Sequence, residues 1–296
     1  MTSRDRLLAI CLPVLWGFNF VVLAWGMGSG DNEVPPLLFA ALRFAVVVPA
    51  VLFVPRPKAP FTKVAAIGVF MLLGQYGLLY TSMAVGMPAG LASLVLQVQV
   101  PLTIVIASAS LREKPTVVQI VGVTIGALGL AIVGAGRGGH IPLTALFLCL
   151  AAGLSWAIGN VLARALRVPG GLSLTVWSST VVPVPLVLLA VAVDGPGVLS
   201  DGVHAFGWKA GVSTVYTVVL STLVGFAIFN SLLARHSSST VVPWILMVPI
   251  VGITTAWLCL GEVPNTAELV GGACTIVGVL VAQGVLRRRT RAVIPA

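Results

Sequence analysis

The residues of this sequence best suited to bind a solute are amides and aromatic rings that lie deep within uncharged stretches. Amide side chains donate and accept hydrogen bonds without carrying charge, and aromatic rings provide flat apolar walls. Their combination predicts a cavity for a small, neutral, amphipathic solute. The candidate cavity residues are Trp16, Asn19, Gln75, Tyr76, Tyr80, Gln97, Gln99, Trp156, Asn160, Tyr216 and Trp244.

Each of these residues also has a purely structural interpretation. A buried amide in lipid must find a partner, and a hydrogen bond to a neighbouring helix would satisfy it. Aromatic rings also pack in cores or line the membrane interface, and we expect this of Tyr80 and Tyr216 in particular. The sequence leaves both interpretations open.

The stretches that carry these residues are long enough to cross a membrane. The chain is 58% hydrophobic and 8% charged, against roughly 25% charged residues in soluble domains. Only helices satisfy all backbone groups within one segment, and a span needs about 20 apolar residues. The sequence therefore predicts an all-α membrane protein of ten helices, α1 to α10. They lie near 7–27, 36–54, 62–85, 90–110, 115–134, 142–164, 172–193, 208–233, 239–260 and 265–286.

The first of these stretches follows two arginines, as the apolar core of a signal peptide does. It is too long for that role and lacks a small-residue cleavage site, so we expect a retained helix. The longest connection, 194–208, is predicted to be a loop.

The basic residues predict which helix ends face the cytoplasm. With the N-terminus inside, most of the 17 Lys and Arg fall in inside loops, and most of the 8 acidic residues fall outside. By the positive-inside rule, this predicts a multi-pass membrane protein with both termini in the cytoplasm. The net charge of +9 does not indicate nucleic-acid binding, because the basic residues are spread over many short loops.

Two parts of the sequence repeat each other at an identical spacing. Glu113, Pro115, Gly122 and Gly129 recur as Glu262, Pro264, Gly271 and Gly278. We interpret this as a duplication with halves 1–137 and 138–296, each holding five predicted helices. Because five is odd, the second half would enter the membrane from the opposite face, as in inverted-repeat transporters.

The order of further motifs resembles a known family. The motifs are Trp16-Gly17-Phe18-Asn19-Phe20 and Trp156-Ala157-Ile158-Gly159-Asn160 at the start of each half, Leu42-Arg43-Phe44, and the segment from Pro249 to Glu262. They resemble the EamA repeat of the drug/metabolite transporter superfamily over nearly the whole chain, and among its members YddG-type bacterial exporters of aromatic and other neutral amino acids. The resemblance implies a basket with α1, α3, α4, α6, α8 and α9 around a central cavity, and with α5 and α10 to one side.

From these observations we expect a secondary transporter that exports small neutral solutes by alternating access, above all amino acids with aromatic or hydrophobic side chains. A proton relay normally needs a titratable group at mid-span, and no Asp or Glu lies there, so transport without proton coupling is expected. The alternative is a multidrug exporter of lipophilic compounds, which would be expected to carry a carboxylate in its cavity. A receptor or structural protein would not explain the duplication.

The sequence does not indicate an enzyme, and we expect no catalytic residue, cofactor or metal. It has no HExxH motif or paired intramembrane aspartates, and its 4 cysteines form no CxxC motif. The expected partners are a small-molecule substrate and the lipid bilayer, with the chain a monomer or weak homodimer.

Small residues and prolines predict close contacts and bends. The faces Gly122, Gly126 and Gly129 on α5, and Gly271 and Gly278 on α10, would let helix backbones approach closely, or else contact substrate. Pro101 and Pro249 are predicted to interrupt α4 and α9, either as hinges or as static kinks, and Pro13 to interrupt α1.

Two glutamates are predicted to cap helices. Glu113 and Glu262 each precede a proline at the start of the next helix, where a carboxylate accepts hydrogen bonds from free N–H groups. Proton coupling is the alternative for both.

Arg43 is the one basic residue that lies away from the ends of a predicted span. It is predicted either to anchor α2 by pairing with Asp31 or Glu33, or to attract a substrate carboxylate. Its counterpart in the second half is the uncharged Trp177.

Overall fold

The computed structural model describes residues 1–28, 30, 33–112, 114–136, 141–168, 171–236 and 238–283. Within this part the chain forms helices and no strand. Six of the described helices are individually long and apolar enough to cross a membrane, and a pair bent by 42° makes a further candidate span. Shorter apolar helices of 10–17 residues complete the set. The chain is therefore a multi-pass helical membrane protein.

Every predicted segment contains a helix. The bounds are α1 Ser3–Met27, α2 Pro36–Leu52, α3 Phe61–Ala84, α4 Ala89–Ser110, α5 Val117–Ala135, α6 Leu143–Ala165, α7 Leu172–Val181 with Pro183–Asp194, α8 Trp208–Arg235, α9 Ser238–Ile245 with Val248–Leu260, and α10 Thr266–Ala282. Most lie within two residues of the prediction, because the lengths of the apolar runs determine them. The α1 helix starts earlier than expected, since the Thr2 side chain accepts a hydrogen bond from the Asp5 amide and caps it.

Two predictions about local structure are wrong. The connection 194–208 contains a short helix, Val198–Ala205, where a loop was expected. It buries Val198 and Gly202, and it is too short and too mixed in composition to stand out as an apolar run. Pro13 does not interrupt α1, which continues unbroken through it. Membrane helices tolerate an internal proline when neighbouring groups satisfy the freed backbone.

Departures from α-helical geometry recur on the helices that the predicted duplication pairs. The α2 and α7 helices contain the 3₁₀ turns Val48–Leu52 and Ser179–Val181, respectively. The α3 and α8 helices contain the π-helical segments Val69–Gly74 and Tyr216–Val224. The α4 helix contains a 3₁₀ turn, Leu96–Val98, and α9 is broken at Leu246 and Met247. Pro101 and Pro249 lie in the first turn of helix after the last two interruptions. Their use as hinges stays a prediction.

Helix contacts follow the same pairing. The α1 helix packs against α8 and α9, while α6 packs against α3 and α4. Contacts also join α2 to α7, α4 to α9, and α5 to α10. Exchanging each helix for its counterpart in the other half reproduces this set of contacts.

The α5 and α10 helices approach each other at glycines. A Cβ atom on Gly271 would lie 2.5 Å from the Gly129 carbonyl oxygen, and one on Gly278 would overlap the Gly126 amide. Gly122 and Gly129 likewise face main-chain atoms of α10. Gly126 itself differs, because a Cβ atom there would meet nothing within 4 Å. The close approach therefore depends on four of the five glycines.

Candidate functional site

Arg43 lies at the centre of a group that we call the Arg43 cluster, consisting of the buried Arg43, Tyr80 and Thr222 and the half-buried Tyr76. Its Nη1 donates to the Tyr80 hydroxyl at 3.4 Å, and its Nη2 donates to Thr222 Oγ1 at 3.1 Å. The guanidinium carbon lies 4.5 Å from the centre of the Tyr76 ring. Arg43 is 3% exposed, and its contacts join α2 to α3 and to α8 in the other half of the chain.

The predicted pairing of Arg43 with Glu33 is wrong, and Asp31 lies outside the described residues. No carboxylate of the described chain lies within ion-pair distance of Arg43. Its side chain is held instead by hydroxyl groups and ring faces on α3 and α8. Glu33 stays half-buried before α2, where burial raises the pKa of its carboxyl group.

The π-helical segment of α8 prepares Thr222 to accept from Arg43. The Thr222 hydroxyl donates to the Thr217 carbonyl five residues earlier, at 2.8 Å. Its proton is thus committed, and the lone pairs of Oγ1 remain for the guanidinium group. Segments of this kind are frequent at functional sites because they free backbone groups from the regular ladder.

Aromatic rings surround the Arg43 cluster. Tyr76 contacts Phe44 at 5.1 Å between ring centres and Trp156 of α6 at 6.5 Å. Tyr80 is fully buried and packs edge-on against Phe39 at 5.7 Å. Two candidate residues of α3, Tyr76 and Tyr80, therefore contact the cation, and a third, Trp156 of α6, contacts the Tyr76 ring.

A second set of candidates meets between α1 and α8. The indole N–H of Trp16 donates to the Ser221 carbonyl at 2.9 Å, and the Tyr216 hydroxyl donates to the Leu15 carbonyl at 3.1 Å. Trp16 also packs against Phe226 and Phe229 at 5.4 and 5.7 Å. The Trp16 indole N–H and the Tyr216 hydroxyl thus each bond the backbone of a neighbouring helix, which agrees with the structural interpretation of these residues. Trp244 of α9 packs against the same apolar group, centred on α1 and α8.

Each of the two π-helical segments accepts a hydrogen bond from a side chain in the other half of the chain. The Ser221 carbonyl of α8 takes its bond from Trp16, and the Phe70 carbonyl of α3 takes one from Ser155 of α6 at 2.8 Å. A π-helical turn disturbs the regular bonding of nearby carbonyl groups, and a donor on a packed helix satisfies them.

Two of the candidate amides keep unpartnered oxygens. Gln75 Oε1 and Asn19 Oδ1 are buried without a hydrogen-bond partner among the described residues, and the residues are 2% and 7% exposed. The Nε of Arg43 is in the same condition. Gln97 is buried, whereas Gln99 and Asn160 are half-buried. Buried polar atoms in native interiors nearly always have a partner, so Gln75 Oε1, Asn19 Oδ1 and Arg43 Nε are candidate contact atoms for a bound solute or water.

Glu262 caps a different helix from the one predicted. Its two carboxylate oxygens accept from the Ala89 and Gly90 amides, both at 2.9 Å, at the start of α4. The helix that follows Glu262, α10, is already capped by the reciprocal pair Asn265 and Glu268. Glu113 lies outside the described residues.

An ionic cluster at the other end of the bundle escaped the sequence analysis. Asp5 accepts from Arg235 Nη1 at 2.5 Å and contacts His236 Nε2 at 2.8 Å, which ties the start of α1 to the end of α8. Asp5 is 3% exposed. In the sequence, the only local indication of this cluster is that Asp5 lies between two arginines at the start of an apolar run. Its partners come from the far part of the chain, which sequence spacing does not reveal.

The described residues hold no group of three His, Cys, Asp or Glu side chains that could bind a metal ion. All four cysteines are free thiols, and Cys149 is buried. Among the described residues the candidate site thus consists of hydrogen-bonding groups, aromatic rings and the Arg43 guanidinium, side-chain types that are typical of small-molecule sites.

The sequence profile of the EamA-like transporter family matches the chain twice, over residues 6–135 and 143–283. The chain therefore belongs to the EamA-like transporter family and is a membrane transporter. The resemblance drawn from the tryptophan, asparagine and glycine motifs is confirmed.

Curated relatives match nearly the full length. The chain is 33% identical to a probable amino-acid metabolite efflux pump of Salmonella typhimurium, covering 95% of each chain. It is 29% identical to a probable terminal-alkyne amino-acid exporter of Streptantibioticus cattleyicolor, covering 95% of this chain and 97% of the relative. A solved crystal structure with 18% identity superposes with a TM-score of 0.60 over 99% of this chain and 100% of its own. That likeness concerns the fold.

Proposed function

We propose that this transporter exports small neutral amino acids across a bacterial inner membrane, including those with aromatic or hydrophobic side chains. The observation that carries the substrate class is the naming of relatives as amino-acid efflux pumps and exporters over 95% of this chain.

The proposed mechanism is alternating access between two halves, 1–137 and 138–296, inserted in opposite directions. The double match of the family profile and the paired helix contacts support the duplication. The direction of α4 supports inversion, because it starts beside Glu262 and runs the length of a span before Lys114. Lys114 and Val263 hold equivalent positions in the repeat and would thus lie at opposite ends. Interrupted helices at such interfaces are typical of transporters.

Paired interruptions of the helices would provide the bending that alternating access requires. The π-helical segments of α3 and α8 and the interruptions before Pro101 and Pro249 fall on four of the helices assigned to the cavity wall. In this proposal Pro101 and Pro249 act as hinges. Asp5 and Glu262 hold helices together at opposite ends of the bundle.

The substrate cavity would be lined by the amides and rings named in the sequence. Trp16, Asn19, Gln75, Tyr76, Tyr80, Gln97, Gln99, Trp156, Asn160, Tyr216 and Trp244 are the proposed lining. The distribution of basic residues among the loops supports a cytoplasmic position for both termini, and hence for the Asp5 end. The chain would work as a monomer or weak homodimer in the bilayer, without a proton-coupling carboxylate.

Counterflow into liposomes that contain the purified protein tests this function. We expect labelled neutral and aromatic amino acids to accumulate without a proton gradient, above the level in protein-free liposomes. Movement of a lipophilic cationic dye without any amino acid would contradict the proposal and favour a multidrug exporter. A rate that scales with an imposed proton gradient would contradict the uncoupled mechanism alone.

A further inference from the structure

Arg43 is a buried cation without a described counterion. Two hydroxyl oxygens and the face of Tyr76 surround it, while its Nε finds no acceptor. The bond to Tyr80, at 3.4 Å, is long for a hydrogen bond. Neutral acceptors and ring faces offset only part of the cost of removing a charge from water. An anionic group bound beside Arg43 would offset the rest of that cost.

Acceptor oxygens lie on the helices that pack around this cation. Gln75 lies on α3, the helix that carries Tyr76 and Tyr80, and its Oε1 is buried and unpartnered. Asn19 Oδ1 is in the same state on α1, and α1 packs against the π-helical segment that carries Thr222. Carbonyl oxygens accept hydrogen bonds and therefore suit an ammonium group.

We propose that Arg43 binds the carboxylate of the transported amino acid, and that Gln75 Oε1 and Asn19 Oδ1 accept from its ammonium group. This proposal rests on the proposed function and specifies how the substrate is recognised. The Tyr76 and Trp156 rings, in contact at 6.5 Å, would pack against the substrate side chain. A fixed cation and neutral acceptors together select a zwitterion over an amine or a lipophilic cation.

The amide of an amino acid provides a matched probe, because it keeps the ammonium group and the side chain but lacks the carboxylate. Counterflow of labelled L-leucine and L-phenylalanine is measured with the unlabelled acid or the corresponding amide, leucinamide or phenylalaninamide, as competitor. We expect the wild-type protein to prefer the acid by at least about tenfold, as a buried charge-assisted contact does. Arg43→Gln should abolish that preference, and Arg43→Lys should keep part of it.

Arg56→Gln is the matched control, since it removes the same charge from an exposed site and should leave the preference unchanged. An unchanged acid preference in Arg43→Gln would overturn the proposal. If that variant fails to give a monodisperse protein, the wild-type competition still decides, because equal competition by acid and amide contradicts a carboxylate site. Absence of leucine and phenylalanine transport in the wild type would contradict the proposed function instead.

Discussion

The two halves of the chain share their backbone irregularities and differ in their charge. Both α3 and α8 contain a π-helical segment, and each segment takes a hydrogen bond from the other half. Arg43 of α2 is buried against α3 and α8, whereas its counterpart Trp177 donates to the Val54 carbonyl. The shared irregularities would suit the proposed alternating-access motion. Arg43 is the one buried Lys or Arg among the described residues, and it would give the proposed site a fixed polarity.

The largest expected effect concerns the glycines that both halves keep. Gly278→Leu would drive its side chain into the backbone of α5 and should destabilise the fold by at least about 3 kcal/mol, the upper range of overpacking. The measurement is the folded, monodisperse fraction after extraction in mild detergent, with the thermal midpoint of what remains.

Gly126→Thr is the matched variant of this experiment. A Cβ atom at Gly126 would meet no neighbour within 4 Å, and the equivalent position in the second half is already a threonine, Thr275. A threonine side chain should therefore fit at Gly126. We expect a near-normal yield. Equal losses for Gly126→Thr and Gly278→Leu would show that the interface does not have this geometry.

An intermediate effect is expected at the start of α4. Glu262→Gln removes the charge and one of two hydrogen bonds to the Ala89 and Gly90 amides, which should cost about 1–2 kcal/mol of stability. Thermal unfolding in detergent measures the change.

Glu268→Gln serves as its control, because the equivalent position in α5 is Gln119, which forms the same reciprocal cap with Thr116. We expect a change within about 0.5 kcal/mol there, as at most surface sites. A larger loss for Glu268→Gln than for Glu262→Gln would contradict the cap assigned to Glu262.

The smallest expected effects test the bonds to the π-helical segments. Ser155→Ala and Trp16→Phe each leave one carbonyl without its donor and should each lower stability by about 1 kcal/mol. Thr124→Ala and Trp208→Phe are controls, since Thr124 bonds only its own helix and Trp208 is exposed. A loss in only one of the two test variants would show that the halves do not use these segments alike.

The sequence predicts the helices well, because long apolar runs, glycine spacing and short polar breaks are local signals. It also predicts the family, through motifs that keep their order. It does not predict the partners of Arg43, Asp5 or Glu262, which lie on distant helices and depend on how those helices pack. Nor does it predict the π-helical segments, because residues such as Val69 and Leu72 also suit regular helix.

The sequence predicts individual residues of the candidate site but not which of them contact one another. Tyr76 and Tyr80 contact Arg43, and Trp156 contacts Tyr76. Trp16 and Tyr216 form hydrogen bonds between α1 and α8. Sequence spacing gives the depth of each residue along its helix but not the direction in which it faces. The orientation comes from tertiary packing, which also leaves space beside Gly126 but none beside Gly122 and Gly129.

The inverted arrangement of the two halves is tested most directly by labelling repeat-equivalent positions from one side of the membrane. Lys114→Cys and Val263→Cys are introduced separately into a chain whose native cysteines are replaced, and intact cells are treated with an impermeant maleimide. Both positions are exposed, Val263 to 76%. We predict that Val263→Cys is labelled in intact cells and Lys114→Cys only after permeabilisation. Labelling of both from the same face would contradict the inverted duplication on which the proposed mechanism depends.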